Sequence, residues 1–440
     1  MKDFGRKESV DRCQCVNVAN NQSQYQIGTG NIGIGNTSTL ATLSSLPKGW
    51  EVRKMKFTFV ERKQKGFPEL PLLAATQNHG VILKSKYENR TVEATKALGT
   101  LKLVEPGDFV ISLRSFQGGL EIAYDRGIIS PAYTILVPTH ITREYFKYYA
   151  KSPEFISILR STVTGIREGQ NIDYNRLREY YLEIPSVGDQ IKMGEYLDAE
   201  TVKIDKAIAA EEKMIALLQE RREIIINDAV GGGEGFNAEP QSCGARRGWK
   251  TKPLRAFLRP RTVRGMPDAQ LLSVTREAGV IVRDVTSKEE NHNYIPDDLS
   301  NYKFVKSGQF VINKMKAWQG SYGVSPCDGL VSPAYFVYDL SFPCKEFFNR
   351  AIRSKFYVPY FQRHSKGIRI DQWDLMPEAL KALPFAFPPL PEQERIVKYL
   401  DAETGKIDRA IEVKRRQIAL LRERREIVIN EVVTGKVKVA

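Results

Sequence analysis

The pattern of apolar and polar positions predicts two long helices. From Leu197, one stripe of positions steps by three and four up to position 229, and the same registers recur from Leu400. Most of these positions are apolar, and polar residues interrupt the stripe at the same three registers in both copies: Thr201/Thr404, Glu211/Lys414 and Arg222/Arg425. A sustained stripe this narrow is typical of a coiled-coil seam, since a helix packed on a globular core has a wider apolar face. The seam residues are Leu197, Ile204, Ile208, Ile215, Leu218, Ile225, Leu400, Ile407, Ile411, Ile418, Leu421 and Val428. We therefore predict helices over 189–230 and 391–440 that pair with each other; the alternative is that each packs on its own domain.

The stretches before the two helices have a different pattern. Residues 45–188 and 245–390 contain short β-rich runs separated by Gly and Pro, with a few helical pieces. This mixture predicts the α+β class for both stretches, which we call domain 1 and domain 2.

The chain contains one unit written twice. Gly49-Trp50 recurs as Gly248-Trp249, and the segment 196–201 recurs as 399–404, with an offset that moves only from 199 to 203. A period near 200 residues is too long for a solenoid and indicates two tandem copies of a domain followed by a helix. Residues 231–244 form a Gly-rich linker between the copies, and the polar segment 1–44 is expected to be a flexible extension.

Charge and composition point to a polyanionic partner. Lys and Arg exceed Asp and Glu by 66 − 52 = 14. Domain 1 carries 21 basic and 15 acidic residues, and domain 2 carries 23 and 13, so the excess lies on the domains. No apolar run approaches the ~20 residues of a membrane span. The five scattered cysteines and the charged first residues predict a cytoplasmic location and no membrane association.

Three motifs that suggest chemistry lack the context that they need. The segment 28–33 matches the glycine pattern of dinucleotide sites, but polar residues replace the flanking strand and helix. Ser130-Pro131-Ala132-Tyr133 lacks the second proline of a methyltransferase loop, and no histidine pair completes a zinc site with Cys13 and Cys15. We therefore expect no catalytic residue, no metal and no cofactor in this chain.

Two basic domains, each followed by a helix, resemble the specificity subunit of type I restriction-modification enzymes. The segment 388–396 (PPLPEQERI) looks like the entry into the second central helix of that family, and 420–426 (LLRERRE) looks like its interior. The first copy departs from this pattern, because 186–190 (SVGDQ) replaces the Pro-Glu-Gln entry. The resemblance covers about 45–440.

The resemblance implies both a function and partners. Each domain would bind one half of a bipartite, asymmetric site in double-stranded DNA, and the helices would form an antiparallel pair that spaces the domains. Two modification subunits would bind the helices and carry S-adenosylmethionine for adenine-N6 methylation. Restriction subunits would add ATP- and Mg-dependent translocation and cleavage. The alternatives are a two-headed scaffold for acidic proteins and, with less support, a fused methyltransferase or nuclease.

The duplication separates candidate base contacts from candidate phosphate contacts. Because an asymmetric site requires different bases in its two halves, divergent polar residues within a shared frame are the better candidates for base contacts. These are Gln77, Asn78 and His79 in domain 1, and Arg276 and Glu277 in domain 2. Cations retained in both copies are candidates for phosphate contacts, namely Arg114 with Lys316 and Arg167 with Arg369.

Overall fold

The computed structural model describes residues 47–77, 79–86, 98–165, 171–231, 248–285, 295–296, 298–367 and 373–439. The predicted extension 1–44, and all of the predicted linker 231–244 except Gly231, lie outside the described residues.

Domain 1 consists of short strands with helices inserted between them. The described strands are β1 (Glu51–Lys54), β2 (Phe59–Arg62), β3 (Leu73–Thr76), β4 (Gly80–Leu83), β5 (Lys102–Val104), β6 (Phe109–Ile111), β7 (Glu121–Ile122), β8 (Gly127–Ile129), β9 (Thr134–Pro138), β10 (Val163–Thr164), β11 (Asn171–Ile172) and β12 (Tyr181–Ile184). The α-helices are α1 (Ser115–Gly118), α2 (Arg143–Tyr149), α3 (Pro153–Ser161) and α4 (Tyr174–Leu177). Short 3-10 turns lie at Met55–Phe57, Lys84–Lys86 and Leu98–Thr100, and the long helix α5 (Val187–Gly231) follows.

Domain 2 repeats this order of strands. The described strands are β13 (Lys250–Pro253), β14 (Leu258–Pro260), β15 (Leu272–Thr275), β16 (Gly279–Val282), β17 (Lys303–Val305), β18 (Phe310–Ile312), β19 (Tyr322–Val324), β20 (Gly329–Val331), β21 (Phe336–Leu340), β22 (Ser365–Lys366), β23 (Asp374–Leu375) and β24 (Pro384–Phe387). The helices are α6 (Lys345–Ile352), α7 (Val358–Arg363), α8 (Pro377–Ala382) and the long helix α9 (Leu390–Val433), with 3-10 turns at Leu254–Ala256 and Ala317–Gln319.

The two domains have the same sheet topology. In domain 1 a four-stranded sheet has the order β2-β9-β6-β7, and in domain 2 the order is β14-β21-β18-β19. The remaining described strands form antiparallel pairs, which also correspond one to one between the domains. The α+β class and the duplication predicted from the sequence are confirmed.

Aromatic side chains fill the core between the four-stranded sheet and the helix that follows it. In domain 1 the rings of Phe109 and Phe146 meet edge to face with centroids 4.7 Å apart. In domain 2 the equivalent rings of Phe310 and Phe348 meet in the same way at 5.3 Å. All four side chains are fully buried, so the same sheet-to-helix contact stabilises both copies.

The two long helices begin with equivalent buried glutamines. The side-chain amide of Gln190 donates to the carbonyl oxygen of Pro185 at 2.9 Å, and that of Gln393 donates to Pro388 at 2.8 Å. Ser186 accepts a hydrogen bond from the amide of Asp189 and so caps the start of α5. Pro391 stands in the first turn of α9, where a missing amide hydrogen costs nothing.

Helices α5 and α9 pack against each other and run antiparallel. Ion pairs between them join Arg222 to Asp408 at 3.1 Å and Arg425 to Asp205 at 3.1 Å, so early residues of one helix meet late residues of the other. Most of the apolar registers between them are buried or half-buried. The predicted antiparallel pairing is confirmed.

Each long helix also ends in the core of the opposite domain. Ala229 and Val230, at the end of α5, are buried in the core of domain 2. Val432 and Val433, at the end of α9, are buried in the core of domain 1, where the hydroxyl of Tyr145 donates to the carbonyl oxygen of Val433 at 2.9 Å. The helix pair is therefore fixed at both ends to both domains.

Candidate nucleic-acid interface

The candidate base contacts that the structure describes lie at the tips of two equivalent β-hairpins. Turn 1, described at Gln77 and His79, lies between β3 and β4, and turn 2 (276–278) joins β15 to β16. The hydroxyl of the preceding threonine closes each turn. Thr76 donates to the carbonyl oxygen of Gly80 at 2.9 Å and accepts from the amide of His79 at 3.1 Å. Thr275 donates to Gly279 at 3.2 Å and accepts from Ala278 at 3.1 Å.

The side chains on these turns are exposed. Gln77 and His79 in turn 1, and Arg276 and Glu277 in turn 2, all face solvent. Asn78 lies outside the described residues. The two turns therefore present different polar side chains on one shared backbone frame.

A second equivalent segment lies beside each turn. Arg114 precedes α1, and Lys316 precedes the 3-10 turn Ala317–Gln319; both side chains are exposed, and neither forms an ion pair within the described ranges. A Cβ placed on Gly118 would lie 3.1 Å from the side-chain nitrogen of Gln77. A Cβ placed on Gly320 would lie 3.9 Å from Cγ of Arg276. The structure thus brings each candidate base contact next to the segment that carries a candidate phosphate contact.

The other two candidate phosphate contacts, Arg167 and Arg369, lie outside the described residues. The aromatic residues of the two segments pack against other side chains. Phe116 lies against the core of domain 1, and the ring of Trp318 contacts that of Trp373 in a tilted arrangement with centroids 5.1 Å apart.

Two cations behind the turns were missed by the sequence analysis. The Lys151 ammonium donates to the backbone carbonyl oxygen of Gln77 at 3.3 Å and pairs with the buried carboxylate of Glu121. The Arg353 guanidinium donates to the carbonyl oxygens of Arg276 at 3.1 Å and Glu277 at 2.7 Å. Both residues follow the helix after the four-stranded sheet and stand at an offset of 202, so a cation retained in the repeat was the available signal.

Burial controls the ionisation of these groups. Burial raises the pKa of Glu121 to about 7, although the neighbouring Lys151 ammonium opposes the shift. Burial lowers the pKa of Arg353 from its usual value, and the nearby Arg222 acts in the same direction. Arginine still remains charged at neutral pH, so a cation stands behind turn 2.

A cleft of about 1470 Å³ separates turn 2 from the helix pair. Turn 2 and Gln319 line one side of the cleft, and residues of α5 and α9 line the other. Ion pairs cross its walls, including Lys355 with Glu223 at 2.7 Å and Arg350 with Asp401. The lining of the cleft therefore carries charges of both signs.

The described residues include no group of three His, Cys, Asp or Glu side chains that could hold a metal ion. Along the same ranges, no helix combines the length and hydropathy needed to cross a bilayer.

Comparison with known proteins identifies the fold. No family model and no curated protein matches the sequence. Among solved structures, a chain of a type I restriction-modification system, determined for its complex assembly and conformational transition, matches with a TM-score of 0.57 at 12% identity; the match covers 89% of this chain and 99% of that one.

Two further structures are similar at lower scores. The HsdS subunit from Thermoanaerobacter tengcongensis has a TM-score of 0.46 at 12% identity, over 89% of this chain and 98% of that one. The type I restriction-modification S subunit from M. genitalium has a TM-score of 0.33 at 10% identity, over 87% and 96%. The match with a TM-score of 0.57 shows that this chain shares its fold with a chain of a type I restriction-modification system, the enzyme family that its duplicated sequence resembles.

Proposed function

We propose that this chain is the DNA-specificity subunit of a type I restriction-modification system. The observation that carries the proposal is the repetition of one exposed surface with different side chains. Turns 1 and 2 lie between equivalent strands and are closed by equivalent threonine hydroxyls, yet they present Gln77 in one domain and Arg276 in the other. Two equivalent hairpins that carry different side chains on their turns suit a bipartite DNA site whose halves differ.

The chemistry of the tips supports contact with bases. A glutamine amide can pair with adenine in the major groove, and an arginine guanidinium can pair with guanine. Arg114 and Lys316 conserve positive charge beside the tips in both copies, which suits contact with phosphates. The basic excess of domain 1 (21 − 15 = 6) and of domain 2 (23 − 13 = 10) has the sign that such contacts need.

The helix pair offers a surface for two like partners. Exposed apolar side chains recur at equivalent positions of α5 and α9, at an offset of 203 in each case. They are Tyr196 with Tyr399, Leu217 with Leu420, and Ile224 with Ile427. Because the helices are antiparallel, the two copies of this apolar stripe are related by the pseudo-twofold axis of the repeat. We propose that each copy binds one modification subunit.

In this proposal the chain itself performs no chemistry. S-adenosylmethionine and the methylation of adenine N6 belong to the modification subunits, since methylation requires the base to be flipped into an enclosed pocket. ATP and Mg belong to the restriction subunits that complete the complex.

Binding of the purified chain to random duplex DNA at several salt concentrations tests the proposal. Phosphate contacts predict an affinity that falls steeply with salt, by about tenfold or more between 50 and 200 mM. Weak binding that does not respond to salt would contradict the proposal, as would equal binding to an acidic protein used as competitor.

Methylation provides a second test. The chain alone should transfer no methyl group from labelled S-adenosylmethionine, and addition of a modification subunit should give methylated adenines at one bipartite site. Methyl transfer by the isolated chain would contradict the assignment.

The helix pair should also determine the gap between half-sites. One heptad inserted into α5, with its counterpart in α9, adds roughly 10 Å of helix, about three base pairs of DNA. It keeps the apolar seam in register, but three base pairs rotate the far half-site by about 100°. We expect weaker methylation, at sites with a longer gap and the same half-site bases. Full activity on the original gap would show that another element sets the spacing.

A further inference from the structure

The backbone of each hairpin turn is held from behind by one cation. In domain 1 the Lys151 ammonium donates to the carbonyl oxygen of Gln77 at 3.3 Å, and its charge is balanced by Glu121, whose side chain is 5% exposed. The lysine therefore links the residue at the tip of turn 1 to a buried carboxylate on β7 of the main sheet.

Domain 2 achieves the same link with different groups. Arg353 donates to the carbonyl oxygens of Arg276 and Glu277 in turn 2, and to that of Tyr322 on β19 at 2.9 Å. Gly323 stands where domain 1 has Glu121, and among the described residues no carboxylate lies within ion-pair distance of Arg353. Arg353 thus has three backbone carbonyls as acceptors, where Lys151 has one carbonyl and one carboxylate.

The space around Arg353 is closely matched to its guanidinium. A Cβ placed on Gly279, at the start of β16, would lie 2.1 Å from Nη1 of Arg353, and that glycine has a φ of +77°. A Cβ on Gly323 would lie 3.4 Å from the same atom and 3.2 Å from Oδ1 of Asn349. Gly279 has its counterpart in Gly80 of domain 1, which also has a positive φ, whereas Gly323 takes the place of Glu121. The change from Glu121 to Gly323 therefore makes room for the larger cation, which indicates that the link is built into the domain.

The link acts on the backbone and leaves the side chains of the turn free. Gln77 and Arg276 use their carbonyl oxygens for the cation, while their side chains remain exposed. A fixed backbone reduces the conformational freedom that a turn must lose when it binds, and so preserves discrimination between partners.

We propose that Lys151 and Arg353 are positioning residues that hold turns 1 and 2 in the orientation for contact with bases. This inference rests on the proposed function. Each cation acts through the turn in its own domain, so each governs the selectivity for one half-site and contacts no DNA itself.

The test uses the full chain with Lys151→Met or Arg353→Met, which keep much of the side-chain length but remove the charge. Lys151→Arg and Arg353→Lys are the conservative variants, and Lys63→Met, at a side chain that is 74% exposed, is the matched control. Hydrogen exchange of the turn amides is measured without DNA, and half-site preference is measured by selection from a randomised duplex pool.

Lys151→Met should raise hydrogen exchange at the amides of 79–80 by about tenfold or more, and leave turn 2 unchanged. It should reduce the preference for one half-site about tenfold, with the other half-site and the salt dependence of random-duplex binding unchanged. Arg353→Met should do the same for the other half-site. With Lys151→Arg or Arg353→Lys, the logarithm of the half-site preference should fall by no more than half as much as with the corresponding Met variant.

Unchanged exchange at the turn would overturn the proposal. A uniform loss of affinity for all sequences with a shallower salt dependence would also overturn it, because it would identify the cation as a phosphate contact. If the wild-type chain selects no half-site, the proposed function fails, and the exchange measurement alone then decides whether the cation holds the turn.

Discussion

Domain 1 and domain 2 have the same strands in the same order, yet the support behind their hairpin turns differs. Glu121 pairs with Lys151 in domain 1, while Gly323 leaves room for Arg353 in domain 2. Both arrangements support the turn in front of them. The repeat thus keeps the position of a contact while changing the groups that make it, and we expect the two domains to respond differently to pH and to substitution.

The helix pair shows the same divergence at its centre. Glu211 and Lys414 are equivalent positions of the repeat, and because the helices are antiparallel they meet there, at 2.9 Å. Identical copies would place two like charges face to face. Divergence of the two copies has turned a repulsion into an ion pair.

The largest expected effect is the loss of stability of one domain when a charged side chain is placed in its core. Val433→Asp places a carboxylate in the apolar core of domain 1, and should lower its free energy of unfolding by about 4 kcal/mol or more. Val230→Asp should do the same to domain 2. Hydrogen exchange resolved by domain measures both effects, and Val437→Asp, at an exposed position of the same chain end, is the control. Equal loss of protection in both domains would show that they unfold as one unit.

The next effect concerns pH and belongs to domain 1 alone. Because burial raises the pKa of Glu121 from 4.5 to about 7, the folded state holds this proton more tightly than the unfolded state. The contribution of this proton to the free energy of unfolding is fully present below pH 4.5. It is lost as the pH rises through 7, by up to about 3 kcal/mol in total.

Glu121→Gln should remove this pH dependence from domain 1, and domain 2 should show none at Gly323. Denaturant unfolding of the variant and the wild-type chain between pH 5 and 8, followed by domain-resolved exchange, measures the difference. Parallel stability curves for the two proteins would contradict the expectation.

A third prediction concerns the tips of the turns. Gln77→Ala should relax one base position of one half-site by about 1–3 kcal/mol, and Arg276→Ala should do so in the other half-site. Arg114→Ala and Lys316→Ala should instead weaken binding to all sequences and lower the salt slope by about 1. Competition between single-base variants of the selected duplex distinguishes the two patterns, and uniform weakening by Gln77→Ala would exclude it as a base contact.

The smallest effect lies at the centre of the helices. Glu211→Lys or Lys414→Glu alone should lower the free energy of unfolding by about 1 kcal/mol, because like charges then meet at a half-buried contact. The double exchange should recover most of the loss, as measured in a double-mutant cycle. Additive losses would show that the two charges do not interact.

Much of this fold was predictable because its strongest signals are periodic. The seam from Leu197 and from Leu400 predicted two paired helices, and the offset near 200 predicted two like domains. The sequence could not show that Val230 and Val433 lie in the cores of the opposite domains. The apolar pattern of a helix predicts which of its residues are buried, but it does not specify which part of the molecule covers them.

The contacts behind the turns were beyond sequence analysis for a related reason. Lys151 donates to a carbonyl oxygen 74 residues earlier in the chain. Because every residue type has a backbone carbonyl, the sequence does not mark the acceptor of such a bond. The exposed tips at Gln77 and Arg276 could be proposed from divergence within the repeat. Their role in contacting bases remains a prediction.

Because each long helix ends in the core of the opposite domain, the two halves of this chain exchange helix ends as the subunits of a domain-swapped dimer do. A half chain with one domain and one helix could complete its core only by exchanging helix ends with a second copy, which would give a symmetric dimer suited to palindromic DNA. In a dimer of the first half, Glu211 would face its own copy, and in a dimer of the second half Lys414 would do so. The Glu–Lys pair therefore favours the union of unlike halves, as the asymmetric DNA site of the proposed function requires.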